Sequence, residues 1–262
     1  MLRTVQATRY VTPLREGGSL PAIVEADDLG LYVVKFRGAG QGAKALVAEV
    51  VAGRIGQALG LAVPELVVVQ VPAALGRNEP DPEIQDLLAA SIGLNAGLDF
   101  LPGAFAFAAP VDSALDPALA ADIVWFDAYV SNVDRTPRNP NLLLWHRKLW
   151  LIDHGAALYL HHSWTEPLEV AAARFAAIKD HILLPISGSI VEADARLHER
   201  VTREVIRDIV AGLPDLWLDG QPPFVTPSEH RAAYEAYLWR RLELRAGFVE
   251  EAEHARRVRH AG

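Results

Sequence analysis

DAYVSNVDRTPRNPNLLLWHRKLWLIDHGAAL, residues 127–158, places Asp134, Asn139 and Asp153 around two short apolar runs at 142–144 and 149–152. Runs of that length on either side of His146-Arg147-Lys148 predict two strands joined by a tight hairpin connection. Such a ribbon returns Asp153 toward the start of its first strand, where Asn139 and Asn141 stand. Asp134 precedes the ribbon in a loop that Pro137 and Pro140 keep from becoming helix. Two carboxylates and one or two carboxamides then meet at one end of a rigid hairpin. Carboxylate and amide oxygens are hard ligands, suited to magnesium held together with phosphate oxygens.

The rest of the chain sets limits on what that block can serve. With 262 residues, 51% of them hydrophobic, there is enough apolar material for one large domain or two joined lobes. No cysteine is present, which excludes disulfides, thiolate chemistry and cysteine-ligated zinc or iron–sulfur centres, and fits a cytoplasmic protein. The opening MLRTVQATRY is polar and strand-like, without the apolar core of a signal peptide. The most apolar stretch, 98–111, is broken by Asp99 and by glycine and proline, so no membrane span is expected. A formal net charge of −8 disfavours a general nucleic-acid binder.

Upstream of the block, residues 5–36 read as strand, turn, strand, turn, strand, with turns at 15–19 and 27–30. Lys35 is the single charge in the strand LYVVKF at 31–36. Residues 43–59 follow as a helix, because Leu46, Val47, Val50, Val51, Ile55 and Leu59 recur at helical spacing before Gly60 and Pro64 stop it. ELVVVQV, 65–71, is another strand. The polar, turn-rich stretch 76–82 divides a β-rich lobe, residues 1–76, from a mostly helical lobe, residues 77–249, in which 82–96, 116–130, 167–182, 189–213 and 226–246 carry helical patterns. Residues 250–262 read as a charged, exposed tail. There is no internal repeat.

Three features upstream bear on chemistry. Lys35 sits mid-strand and Glu49 lies on the next helix, which permits an ion pair that keeps an ammonium ready for phosphate oxygens; a surface salt bridge would give the same spacing. Gly17-Gly18-Ser19 lies in the first turn, where glycines let backbone N–H groups approach phosphates. It is not a Walker A loop, since no GK[ST] follows. Residues 38–42 (GAGQG) either cover a ligand or turn the chain into its helix. Asp134 and Asp153 also admit a structural reading as salt-bridge partners of Arg135 and Arg138. His154, His161 and His162 fit no usual zinc-ligand spacing, and the six tryptophans, with no basic run between them, read as packing residues.

Taken in order, Gly17-Gly18-Ser19, Lys35, Glu49, Asp134, Asn139 and Asp153 resemble the protein-kinase-like fold and, within it, the HipA-like kinases, with a more distant likeness to phosphatidylinositol kinases. The likeness spans about residues 5–215, and the 134–153 block is its specific part. The resemblance implies an α+β, two-lobed fold: a small antiparallel sheet with one helix, then a helical lobe carrying a catalytic hairpin. It implies that Asp134 orients an acceptor hydroxyl, that Asn139 and Asp153 hold Mg²⁺, and that Lys35, paired with Glu49, contacts the α- and β-phosphates of ATP. It further implies that Gly17, Gly18 and Ser19 cover the phosphates, and that the strand carrying Val69 and Val71 leads to the hinge that receives adenine. The loop reads NVDRTPRN rather than HRDLKxxN, as expected in this branch. Asp153 is followed by His154-Gly155 rather than Phe-Gly, which leaves the reach of the activation segment open. A toxin role is not expected, because the sheet begins near Val5 and leaves no room for the extra N-terminal region of HipA toxins.

The expected function is ATP- and Mg²⁺-dependent transfer of a phosphoryl group to a hydroxyl of a protein serine or threonine, or of a small molecule. The alternatives are a pseudokinase acting as a nucleotide-binding interaction module, and a metal-dependent hydrolase. The hydrolase accounts for the aspartates but not for Lys35, Glu49 and the glycine turn together.

Overall fold

The computed structural model describes residues 2–14, 20–77, 79–108 and 115–261. Its first lobe is a small β-barrel built from β1 (Arg3–Pro13), β2 (Ala22–Ala26), β3 (Leu31–Lys35), β4 (Leu66–Val71) and β5 (Gly93–Asp99), closed in the order β1-β2-β3-β5-β4. All pairings are antiparallel except β1 with β4, which run parallel. Alternation sorts the side chains between two faces. Val5, Val24, Tyr32, Val34, Val67, Val69 and Val71 fill the barrel interior. Val68, Ala96 and Leu98 face the other way, against helix α1 (Gly42–Ala58).

α1 is buried on nearly every side, including Leu46, Val47, Val50, Val51 and Ile55, because it lies between the barrel and the second lobe. A helix enclosed in this way needs no polar face. Gly53 lets it sit close to β4, since a Cβ there would come within 2.7 Å of Leu66 Cδ1. Trimming one of its large buried side chains, such as Leu46, to alanine would cost about 2–5 kcal/mol.

The second lobe begins beyond β5. Strands β6 (Phe105–Ala106), β7 (Leu142–Trp145) and β8 (Lys148–Leu151) form a small sheet in that order. His146 and Arg147, with φ of 47° and 64°, form the two-residue hairpin turn. Two successive left-handed residues match the right-handed twist of the strands. Lys148, expected within the connection, instead pairs with Trp145. Helix α3 (Pro117–Val130) runs through the middle of this lobe, capped by the Asp116 side chain and wholly buried over its last eight residues. Around it pack α5 (Ile190–Leu197), α8 (Pro227–Glu243) and α9 (Ala246–Ala261). α4 (Pro167–Val170) and α6 (Arg203–Ala211) pack on α8, as does α7 (Asp215–Leu218). No helix among the described residues is long and apolar enough to cross a membrane.

The α+β, two-lobed architecture agrees with the sequence reading, and several segments depart from it. The helix expected over 82–96 ends early: α2 (Pro82–Ala90) is followed by β5, which opens on Gly93 at φ 106°. β5 has the sequence GLNAGLD, poor in β-forming residues, because it is enclosed in the barrel; a Cβ on Gly97 would fall 2.6 Å from Val69 Cγ2. Context overrides propensity there. The single helix expected over 167–182 is α4 followed by a 3-10 turn at Ala176–Asp180. The exposed tail expected from 250 is the body of α9, with Val249, Ala252 and Ala255 buried against the lobe. Glu253, on the same helix, accepts the Ile190 backbone N–H at 3.0 Å and two arginine side chains.

Candidate active site

Lys35 ends β3, and its same-face neighbours across the sheet are Ala96 and Val68. From that face its ammonium reaches Glu49 on α1 and the Asp153 carboxylate, the latter at 2.5 Å. Glu49 is fully buried. It also accepts the His154 backbone N–H at 2.8 Å and faces the His154 ring Nδ1 at 3.2 Å. A carboxylate only accepts, so Nδ1 carries the proton. Burial alone would raise the Glu49 carboxyl, but the Lys35 charge and the His154 hydrogen bond outweigh it and bring it down to about 2. Lys35 shows the complementary balance: burial opposes its charge, and two carboxylates raise its pKa well above the ordinary lysine value.

Asp153, whose side chain is 43% exposed, follows β8 in the left-handed region, with φ 54°. This turn sends its carboxylate to Lys35 while the backbone of His154 goes to Glu49. Ile152, one residue earlier, donates its backbone N–H to Asn141 O at 3.1 Å, which places the end of the hairpin beside the preceding loop. In that loop one Asp134 oxygen accepts from two carboxamides, Asn139 Nδ2 at 2.7 Å and Asn141 Nδ2 at 3.3 Å. The Asp134 backbone N–H is held by Asn132 Oδ1 at 3.1 Å. Because both asparagines turn their nitrogens toward Asp134, their amide oxygens are left for other partners. A half-exposed carboxylate at Asp153 and the carboxamide oxygens of Asn139 and Asn141 are hard donors, the type that Mg²⁺ takes. No cluster of three or more His, Asp or Glu able to hold a metal by itself occurs among the described residues.

The structure thus brings Lys35, Glu49 and Asp153 into direct contact and links Asp134 with Asn139 and Asn141. Val69 and Val71 are not part of this group. They are fully buried inside the barrel, on the sheet face opposite Lys35, and the strand that leads into the second lobe is β5 rather than β4. Gly17, Gly18 and Ser19 lie outside the described residues. The 38–42 segment is anchored at its first residue, where Gly38 N–H donates to Ser91 Oγ at the end of α2 at 3.0 Å; the preceding Arg37 N–H donates to Asn95 Oδ1 on β5 at 2.8 Å. Arg135 does not pair with Asp134 or Asp153; its carboxylate is Asp127. His161, half of an adjacent pair, is buried and hydrogen-bonded to Tyr234 at 3.0 Å, and burial lowers its pKa to about 3. A cleft of about 780 Å³, lined by Leu61, Phe107 and Trp150 among others, shares no residue with the Lys35 cluster.

Sequence reasoning missed a second ionic group beneath the loop. Asp127, on α3 and fully buried, accepts from Asn132 Nδ2 at 2.9 Å, Arg135 Nε at 2.5 Å and His181 Nε2 at 2.9 Å. The signal was present as the one acid in the apolar run IVWFDAYV.

The sequence profile of the HipA-like kinases matches residues 8–240. The chain belongs to the HipA-like kinase family, and through it to the protein-kinase-like superfamily. This HipA-like chain is also similar in fold to the crystal structure of a Helicobacter pylori proinflammatory kinase, CtkA. The TM-score is 0.55 at 14% identity, covering 97% of this chain and 98% of that one. A Golgi casein kinase aligns with a TM-score of 0.45 at 12% identity, over 95% of this chain and 72% of that one. No curated protein matches the sequence.

Proposed function

We propose that this HipA-like protein is an ATP- and Mg²⁺-dependent phosphotransferase that passes the γ-phosphoryl group to a hydroxyl of a protein serine or threonine, or of a small molecule. The observation that carries the reading is the buried Lys35–Glu49 pair in contact with Asp153, one short hairpin away from an Asp134 that two carboxamides hold in place. Lys35 supplies a fixed positive charge for phosphate oxygens, and Glu49, itself held by His154, keeps that charge from swinging away. Asp153 and Asn139 would hold the metal, with Asn141 beside them. When bound, Mg²⁺ offsets charge on the phosphates and orients them. With one oxygen engaged by Asn139 and Asn141, Asp134 keeps the other for the attacking hydroxyl, where it accepts the proton. Phosphoryl transfer asks little covalent chemistry of a protein; it asks for positioned charges. We place the nucleotide-binding lobe at the barrel, β5 included, with Lys35 and Glu49 on that lobe and Asp134, Asn139 and Asp153 on the second.

The test is incubation of purified protein with labelled ATP and Mg²⁺, with and without cell extract, for the wild type and Asp134→Asn. The variant should lose about 10²- to 10⁴-fold in transfer while binding nucleotide with near wild-type affinity, because its carboxylate acts mainly in the transition state. Transfer surviving at the wild-type rate would remove Asp134 from this role. A wild type that binds Mg-ATP without transferring would favour a nucleotide-binding interaction module.

A further inference from the structure

Arg135 stands next to Asp134 in sequence, yet its side chain is almost fully buried. Three groups of contacts account for it. Its Nε and one terminal nitrogen face the Asp127 carboxylate on α3. Its other terminal nitrogen donates to the backbone oxygen of Asn141 and, at 3.5 Å, to that of Ile152. Its own backbone oxygen accepts the Ile182 N–H at 3.1 Å. One planar guanidinium therefore touches the residue before β7, the residue before Asp153, and the central helix of the lobe.

Asp127 is the fixed point of this arrangement. Burial pushes its carboxyl up, but the Arg135 charge and the His181 hydrogen bond hold it well below the usual carboxylate range. His181 receives the Leu183 N–H on Nδ1 at 3.1 Å, so its proton sits on Nε2 and is given to Asp127. The same carboxylate accepts from Asn132, whose Oδ1 holds the Asp134 N–H. Both candidate functional aspartates are thus tied to Asp127, Asp134 through Asn132 and Asp153 through the Arg135 contact with Ile152.

A buried ion pair gives little net stability over an apolar pair of equal volume, because desolvation offsets most of the attraction. Its distinctive property is geometry: a fork with several donors fixes several acceptors at set angles. Two backbone carbonyls on one guanidinium, from just before β7 and just after β8, constitute such a fixture. We propose that Arg135, oriented by Asp127 and His181, is a positioning residue that sets the placement of Asp134 relative to Asp153. It touches neither substrate nor metal, and it acts through the backbone at Asn141 and Ile152. This inference rests on the phosphotransfer reading above, in which those two aspartates act together.

Arg135→Lys keeps a cation beside Asp127 but lacks the fork, and Asp127→Asn keeps the volume but releases the guanidinium. Each is assayed for cooperative thermal unfolding, for transfer kinetics, and for backbone amide exchange over 134–141 and 150–154. In variants that unfold cooperatively, kcat should fall about 10- to 100-fold, the loss typical of an ångström-scale misplacement, while KM for ATP changes less than about threefold. Exchange should quicken in both segments, including 150–154 in Asp127→Asn, where the altered side chain makes no direct contact. Wild-type kcat with wild-type exchange would overturn the proposal, as would a rise in KM alone. Loss of folding in both variants would also overturn it, making the network support for the lobe rather than a setting for the site. If wild-type protein transfers no phosphate, the phosphotransfer reading fails, and the exchange pattern still decides whether Arg135 couples the two segments.

Discussion

Two buried carboxylates on two helices, Glu49 on α1 and Asp127 on α3, are arranged alike and used differently. Each is fully enclosed, each faces one cation and one histidine, and each is held below the ordinary carboxylate range against the penalty of burial. The Glu49 group opens outward: Lys35 passes from it to Asp153, whose side chain is 43% exposed. The Asp127 group closes inward, and the remaining donors of Arg135 end on backbone carbonyls. The difference teaches where to look for ligands. A buried ion pair that continues to an exposed carboxylate can exchange a partner for phosphate or metal, whereas one that ends on the backbone can only hold shape.

That contrast can be broken by removing one member of each group. The largest stability effect is expected for Asp127→Ala, which strands a buried guanidinium and should cost about 3–5 kcal/mol in chemical denaturation. A loss below about 1 kcal/mol would mean that water reaches Arg135 and that the group is not closed. Lys35→Ala should cost less, because Glu49 can take up a proton once its cation is gone, and it should weaken ATP binding in calorimetry. Unchanged ATP affinity together with unchanged turnover would remove Lys35 from the site.

The pH dependence sharpens the same point. In the wild type the native Glu49 carboxyl lies at about 2, below its ordinary 4.5, so the unfolded chain binds more protons between those values. Its contribution is complete above about pH 4.5 and is lost as pH falls toward 2. In Lys35→Ala burial prevails, the native value rises above 4.5, and stability contributed by this residue should instead decline as pH increases above 4.5. Denaturation midpoints for the two proteins from pH 4 to 7 give the sign. Parallel curves would show that Lys35 does not set the state of Glu49. The smallest effect is expected at the surface: Arg174→Ala removes pairs with Glu250 and Glu251 from a side chain that is 59% exposed, and should shift stability by no more than about 1 kcal/mol.

What was legible in the sequence was charge out of place. Lys35 in LYVVKF, Glu49 in an apolar helix, and Asp134, Asn139 and Asp153 around two apolar runs each break a pattern that is otherwise hydrophobic, and the structure gathers them as two linked groups. Asp127 breaks its pattern just as plainly, but its partners Arg135 and His181 become adjacent only through tertiary packing. β5 was illegible for a different reason. With Gly93 and Gly97 and no β-branched residue, it is a strand by enclosure rather than by preference. α9 was hidden by its charges, since a helix needs only a narrow apolar stripe to dock, and Phe248, Val249, Ala252 and Ala255 supply it among glutamates and arginines.

The place of β5 between β3 and β4 also governs the order in which the barrel can assemble. As the polypeptide emerges from the ribosome, β1 to β4 are available early, but the slot between β3 and β4 stays vacant until residue 99 is free. Until then both neighbours present unpaired backbone edges, the state most open to non-native strand pairing. A chain halted at residue 77 would carry that exposed gap permanently, whereas one extended past Phe100, whose N–H binds Leu31 O at 2.9 Å, has the pieces to seal it. The last strand of the barrel is thus also the chain's bridge to the second lobe, and the ribosome releases the two in a single stroke.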